Sequence, residues 1–235
     1  HPLSIELIAA RSRYFSPADI LSRLTDAERL RGQPRRGVPD HQRTLQSTMA
    51  WSWDRLTPEE QAALAALSVF RGGLSAEAAG EMLGSAAPGL LDGLLAHSLL
   101  HLVGERLALY PVIRAFADSK LQPAARAQAE VRHGRLFAAG GVSDADLDNL
   151  LVAVDRAVLR GDVAVAGGAG ESAVGILSRR GPIPVGLALL ERLFLLPLPD
   201  ARRLSLLLRQ ALMMRDVGEP SETALQQARA LASTP

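Results

Sequence analysis

The chain has 235 residues, 26 Lys and Arg against 25 Asp and Glu, a formal net charge of +1, and no Cys. So even a balance argues against a chain that grips nucleic acid over its whole surface, and the lack of Cys excludes disulfides and thiolate metal sites. Hydrophobic residues make up 48% of the chain but aromatics only 4%, so the core must rest on Leu, Ala and Val, a composition that favours helices. No apolar run reaches the roughly 18 residues that would span a membrane, and no signal peptide leads the chain, so a cytoplasmic location is expected. The basic residues are almost all Arg, with Lys120 the single Lys. Together with abundant Ala, Gly and Pro, this fits a GC-rich bacterial coding sequence. The first residue is His1, inside a segment that is already amphipathic, so the sequence reads as cut from something longer.

In chain order, Pro2 to Arg13 reads as a helix with Pro in its first turn. Ser16-Pro17 starts a second, with Asp19 in the first turn and Ile20, Leu21 and Leu24 as its stripe. Gly32 to Pro39 is a linker with two Gly, two Pro and no apolar period. His41 to Leu56 is the next helix. Thr57-Pro58-Glu59-Glu60 then combines cap, Pro and acids in one turn and opens a helix running to Phe70. Ser75 caps a short helix to Leu83, and another spans Pro88 to His97. Leu99 to Val103 and Leu107 to Tyr110 flank Gly104-Glu105, a hairpin signal. A helix over Pro111 to Leu121 closes this region, and helices followed by a two-stranded wing are the order of a winged helix. From Pro123 onward the pattern is helical throughout: 124–140, 145–160, 163–178, 182–196, 200–216 and 220–233. Turns of a few residues between helices of this length imply antiparallel hairpins, and chained hairpins imply a solenoid with a tetratricopeptide-like period. The expected fold is mostly α in three parts. A helical segment covers 1–40, a winged helix with a small β-hairpin covers 41–122, and helical repeats cover 123–235.

Several segments carry a family resemblance. His1-Pro2-Leu3-Ser4-Ile5-Glu6-Leu7 resembles the G-x-P-L-x-x-E-L segment that follows the nucleotide-binding core of bacterial signal-transduction ATPases with numerous domains (STAND, of the NB-ARC type). Arg43-Thr44-Leu45 through Trp51-Ser52-Trp53-Asp54-Arg55-Leu56 resembles their R-T-L-x-x-x-I-x-W-S-Y-x-L-L helix. Leu67-Ser68-Val69-Phe70-Arg71-Gly72-Gly73-Leu74 resembles their L-S-V-F-x-G-G-F motif. Arg106 through Lys120 resembles the hairpin and helix that close their winged helix, and Asp148-Asn149-Leu150 the D-N-L that opens their C-terminal repeats. The resemblance implies a transcriptional regulator whose upstream ATPase core, binding ATP or ADP, is missing from this chain. Pro2 would contact adenine in the intact parent. The family's His-Asp nucleotide sensor falls on Tyr110-Pro111, which lacks the positive charge, so packing is the expected role of Tyr110.

The chain itself lacks a phosphate-binding loop, since its single Lys has no preceding Gly and is followed by Leu121. No cofactor is expected in this fragment, and no catalytic or metal-binding residue. Gly168, Gly170 and Ala173 match G-x-G-x-x-A, with Glu191 about twenty residues on, as in a dinucleotide site. Such a site needs a strand on each side, whereas Leu187 to Leu196 continues a helical stripe, so close helix packing is the expected use of these glycines. His97 and His101 have a metal spacing only if one helix holds both. The expected recognition helix, Ala87 to His97, has no Arg or Lys and contains Asp92, which suits DNA poorly because phosphate contacts dominate affinity. The cluster Arg29, Arg31, Arg35, Arg36 and Arg43 is read as a solvated linker and helix face. The first functional reading is therefore a regulatory segment, its winged helix controlling the ATPase core and its repeats binding an inducer or protein partner. A DNA-binding winged-helix factor is the second, and a stand-alone helical scaffold the third.

Overall fold

A computed structural model describes residues 48–233. The expected helices before residue 41, the linker, the Arg cluster and Pro2 lie outside the described residues. The described chain forms two compact units. One holds the residues up to Val69 together with Ser75–Ala125; the other holds Phe70–Leu74 together with the residues from Arg126 on.

In the first unit residues 48–53 are helical, and the chain then turns at Asp54, three residues before the end expected from the pattern. Helix α1 (Pro58–Leu67) begins with a reciprocal capping box, the Thr57 hydroxyl accepting from the Glu60 N–H while the Glu60 carboxylate accepts from the Thr57 N–H. It stops at Leu67 rather than Phe70, because Ser68 turns back and donates its hydroxyl to the Ala65 carbonyl at 2.6 Å. Helix α2 (Ala76–Leu83) is capped by Ser75, and a single 3₁₀ turn over Gly84–Ala86 leads into α3 (Ala87–Ala96). Strands β1 (His101–Val103) and β2 (Arg106–Ala108) pair antiparallel, Leu102 opposite Leu107. Gly104 makes the turn between them at φ 61°, a conformation that Gly adopts without steric cost. Helix α4 (Pro111–Lys120) follows. α1 packs on α2, α3 and α4. Leu64, Leu67, Leu94, Leu100 and Ile113 are fully buried there, and Trp53 meets Phe116 edge-on at 5.9 Å.

Helix α5 (Pro123–Ala138) carries the chain into the second unit. A 3₁₀ turn over Asp144–Asp146 leads to α6 (Leu147–Arg160), followed by α7 (Val163–Arg180), α8 (Ile183–Phe194), α9 (Asp200–Asp216) and α10 (Glu222–Ala232). Gly161 ends α6 in the left-handed conformation, and Asp162 immediately caps α7 by accepting from the Val165 N–H. α7 packs on α6, α8 and α9, and α9 packs on α8 and α10. α6, α8 and α10 start at Leu147, Ile183 and Glu222, spacings of 36 and 39 residues. Down α7, Gly167 faces Arg202, Glu171 binds Arg202 and Ser205, and Gly175 faces Arg209. α7 and α9 therefore run in the same direction, as the second helices of successive hairpins do. The fold is mostly helical, with one small hairpin followed by a solenoid of helix pairs.

Candidate functional site

The second unit buries a polar node that joins two motifs far apart in sequence. Asn149, in the first turn of α6, is fully buried. Its Oδ1 accepts from the Arg71 N–H at 2.6 Å, and its Nδ2 donates to the Gly73 carbonyl at 2.7 Å. The Arg71–Gly73 backbone is thereby paired by one side chain as a neighbouring strand would pair it. Gly72 leaves room beside α6, since a Cβ on it would stand 2.9 Å from the Asp148 carboxylate. Phe70 enters the same core edge-on to His133 at 4.9 Å and to Phe137 at 6.1 Å. His133 and Phe137, one turn apart on α5, are both buried.

His133 completes the node. Its Nε2 lies 3.3 Å from Asn149 Oδ1. That oxygen is an acceptor, because the amide nitrogen is committed to Gly73, so Nε2 must carry the ring proton and donate. The other ring nitrogen, Nδ1, is buried with no hydrogen-bond partner among the described residues. A second proton there would be a buried charge with nothing to accept it. Burial accordingly pushes the His133 pKa down to about 3, only partly offset by the hydrogen bond to Asn149 and reinforced by the charges of Arg156, Arg71 and Arg160. Imidazole is thus a neutral structural donor here, placed wrongly for proton transfer with a substrate.

Tyr110 stands at the start of α4, half-buried, its ring stacked on His101 at 4.0 Å. His97 caps the end of α3 while His101 lies in β1, so the two never share a helix face. Among the described residues no group of three His, Asp or Glu is placed to hold a metal ion. Lys120 directs its Nζ over the Phe116 ring at 5.1 Å and the Trp53 ring at 6.0 Å. The exposed residues of α3 are Pro88, Gly89, Asp92 and Ala96, with His97 just beyond; Asp92 is the one charge on that face.

The G-x-G-x-x-A stretch lies in the middle of α7, buried from Val165 to Gly170 and again from Ala173 to Leu177. A Cβ on Gly168 would stand 2.7 Å from the Ala138 carbonyl oxygen of α5, and one on Gly170 would stand 2.7 Å from the Leu193 side chain of α8. These glycines let two helices close on α7, and the element immediately before it is a helix, α6, rather than a strand. Ion pairs cross the same helices. Glu130 receives Arg156 and Arg160, and Asp155 receives Arg192 at 2.6 Å.

The sequence pattern places the α3 face, the α7 glycines and Tyr110 at recognisable positions. It misses the node formed by Phe70, His133 and Asn149. One signal was available: Asn competes for the backbone in helix interiors and so marks a special position.

No family model matches the chain, and no solved structure matches it. Among curated proteins, two described as candidate HTH-type transcriptional regulators, from Mycobacterium bovis and Mycobacterium tuberculosis H37Rv, are each 33% identical over 150 residues, which cover 59% of this chain and 17% of the relative. An uncharacterised protein of Mycobacterium tuberculosis H37Rv is 40% identical over 78 residues, covering 33% of this chain and 20% of the relative. The chain therefore spans about a fifth or less of the length of these curated relatives. No helix among the described residues is long and apolar enough to cross a membrane.

Proposed function

We propose that the chain is a non-catalytic regulatory segment of a bacterial transcriptional regulator, controlling an upstream ATPase core through residues 41–122 and binding an inducer or protein partner through its helical repeats. The observation that carries this reading is a helix–hairpin–helix unit that offers DNA no cation on α3, in a chain that also holds a solenoid whose α6 binds the Arg71–Gly73 backbone through Asn149. Similarity to proteins described as HTH-type regulators supports the regulatory role, and the rest of a much longer relative has room for the DNA-reading and nucleotide-binding parts. In the intact parent ATP or ADP would bind upstream, with Pro2 against the adenine. Tyr110, stacked on His101, would act in packing. The parent would work inside the cytoplasm, and the repeats would have a tetratricopeptide-like role in protein contact.

The test is phosphate release from Mg-ATP by the purified chain. The expected result is release no faster than from buffer. Turnover that co-purifies with the chain and disappears on substituting one of its residues would overturn the reading. DNA recognition by the hairpin unit is the second reading, favoured by the helix order and the relatives' name and opposed by the composition of α3.

A further inference from the structure

We propose that the α7–α9 seam holds an oxyanion site, built from Arg179 and Arg209 over Gly175, that takes a carboxylate or phosphate group of a small ligand. Because Gly175 has no side chain, both guanidiniums can lean over it. Arg209 Nη1 lies 3.5 Å and Arg179 Nη1 3.6 Å from the position a Cβ would occupy. Their Nη1 atoms are therefore no more than about 7 Å apart, a separation that one oxyanion can bridge with charge-assisted hydrogen bonds on either side.

The charge around them is unbalanced. One turn earlier the seam is matched: Arg202 donates to Glu171 at 3.2 Å, and Ser205 donates to the other Glu171 oxygen at 2.7 Å. One turn further on, the match fails. Arg209 makes no ion pair or hydrogen bond among the described residues. Arg179 shares the single carboxylate of Asp144 with Arg180, at 3.2 and 2.6 Å. Two guanidiniums thus share one carboxylate while Arg209 has none, and Glu171, the acid of α7, is already engaged. Arg179 is 60% exposed, so a ligand can reach the pair from solvent. Arg's planar fork suits carboxylate and phosphate equally, so the chemistry named is the oxyanion they share. Naming it as the inducer's recognition group rests on the regulatory reading; the anion site itself does not.

The experiment is a titration of the full chain, isotope-labelled, with inorganic phosphate and separately with succinate, chloride holding the ionic strength constant. The readout is the side-chain Nε–H resonances of Arg179 and Arg209. Saturable shifts are expected with one or both probes, with half-saturation on the order of 1 mM. Arg209→Gln should weaken binding at least tenfold while leaving the circular dichroism and melting temperature unchanged, and Arg215→Gln on the same helix should leave binding unaltered. Saturation by phosphate alone or by succinate alone supports the site and distinguishes the source of the anion. Shifts that grow linearly with both probes, or saturation undiminished in Arg209→Gln, would overturn it. Either failure leaves the regulatory reading standing, because that reading fails on ATP turnover and not on anion binding.

Discussion

Helical glycines carry opposite meanings at two pairs of positions, one pair in each unit, while Gly93 of α3 faces the flexible Glu60 side chain and belongs with neither pair. In the first unit Gly80 on α2 and Gly89 on α3 have no atom within 4 Å of where a Cβ would sit. They leave their helices looser than alanine would and fill no packing role. In the second unit Gly168 and Gly170 face a backbone carbonyl and a buried Leu at 2.7 Å, so their lack of a side chain is what lets the helices meet. The same contrast holds for polar groups. The described core of the first unit is almost wholly apolar, its buried Ser52 and Ser68 donating to the Thr48 and Ala65 carbonyls, whereas the second unit buries His133 and Asn149 as a connected pair. An apolar core tolerates exchange, but a close-packed and hydrogen-bonded one specifies a single arrangement.

That contrast can be broken most severely at Asn149. Asn149→Ala leaves the Arg71 N–H, the Gly73 carbonyl and the His133 Nε2–H without their partner, and should cost about 3 kcal/mol in urea denaturation. A loss no greater than that of an exposed substitution would mean that water replaces the amide freely. Gly168→Ala comes next. It must push α5 away from α7 and should cost about 2 kcal/mol. Its counterpart Gly80→Ala should instead gain roughly 0.5–1 kcal/mol, because α2 has space for the methyl and the unfolded chain loses freedom. If the two glycines respond alike, the distinction between open and packed positions fails.

His133 sharpens the comparison through pH. Its pKa is depressed in the fold, so the unfolded chain binds the extra proton and the native chain does not. Stability is therefore insensitive to this group well above its ordinary value near 6.5 and falls as pH drops through that value toward 3, with a slope that approaches about 1.4 kcal/mol per pH unit. His133→Gln should lower stability at neutral pH yet flatten the decline between pH 6.5 and 5, measured as the denaturation midpoint at each pH. The smallest effect belongs to Arg192→Gln. Its pair with Asp155 is about half exposed on both sides, and its loss should shift stability by less than about 0.5 kcal/mol.

Much of this architecture was legible in the chain. Thr57-Pro58-Glu59-Glu60 fixes the start of α1, Gly104 the turn of the wing, and Gly161-Asp162 the break between α6 and α7, because each uses local chemistry that acts wherever it occurs. Ends were less legible: the apolar pattern continues through Phe70, while Ser68 ends the helix by turning on itself. The node was not legible as a unit. Nothing local to His133 indicates that the Phe70–Gly73 segment, 60 to 63 residues earlier, will share its core. The glycines of α7 are a middle case. Their sequence matches a dinucleotide-loop pattern, but the helical stripe at Leu187 to Leu196, where that site needs a strand, favours the helix crossing.

The regulatory reading depends on α3 being a poor reader of DNA. Fluorescence anisotropy of a labelled duplex, titrated with the full chain at low salt, tests this most directly, since low salt favours any phosphate-driven binding. No rise in anisotropy is expected beyond weak association that does not depend on sequence and vanishes with added salt. Tight binding to a particular sequence, lost on substituting Gly89 or Asp92 of α3 in a chain that remains folded, would contradict it.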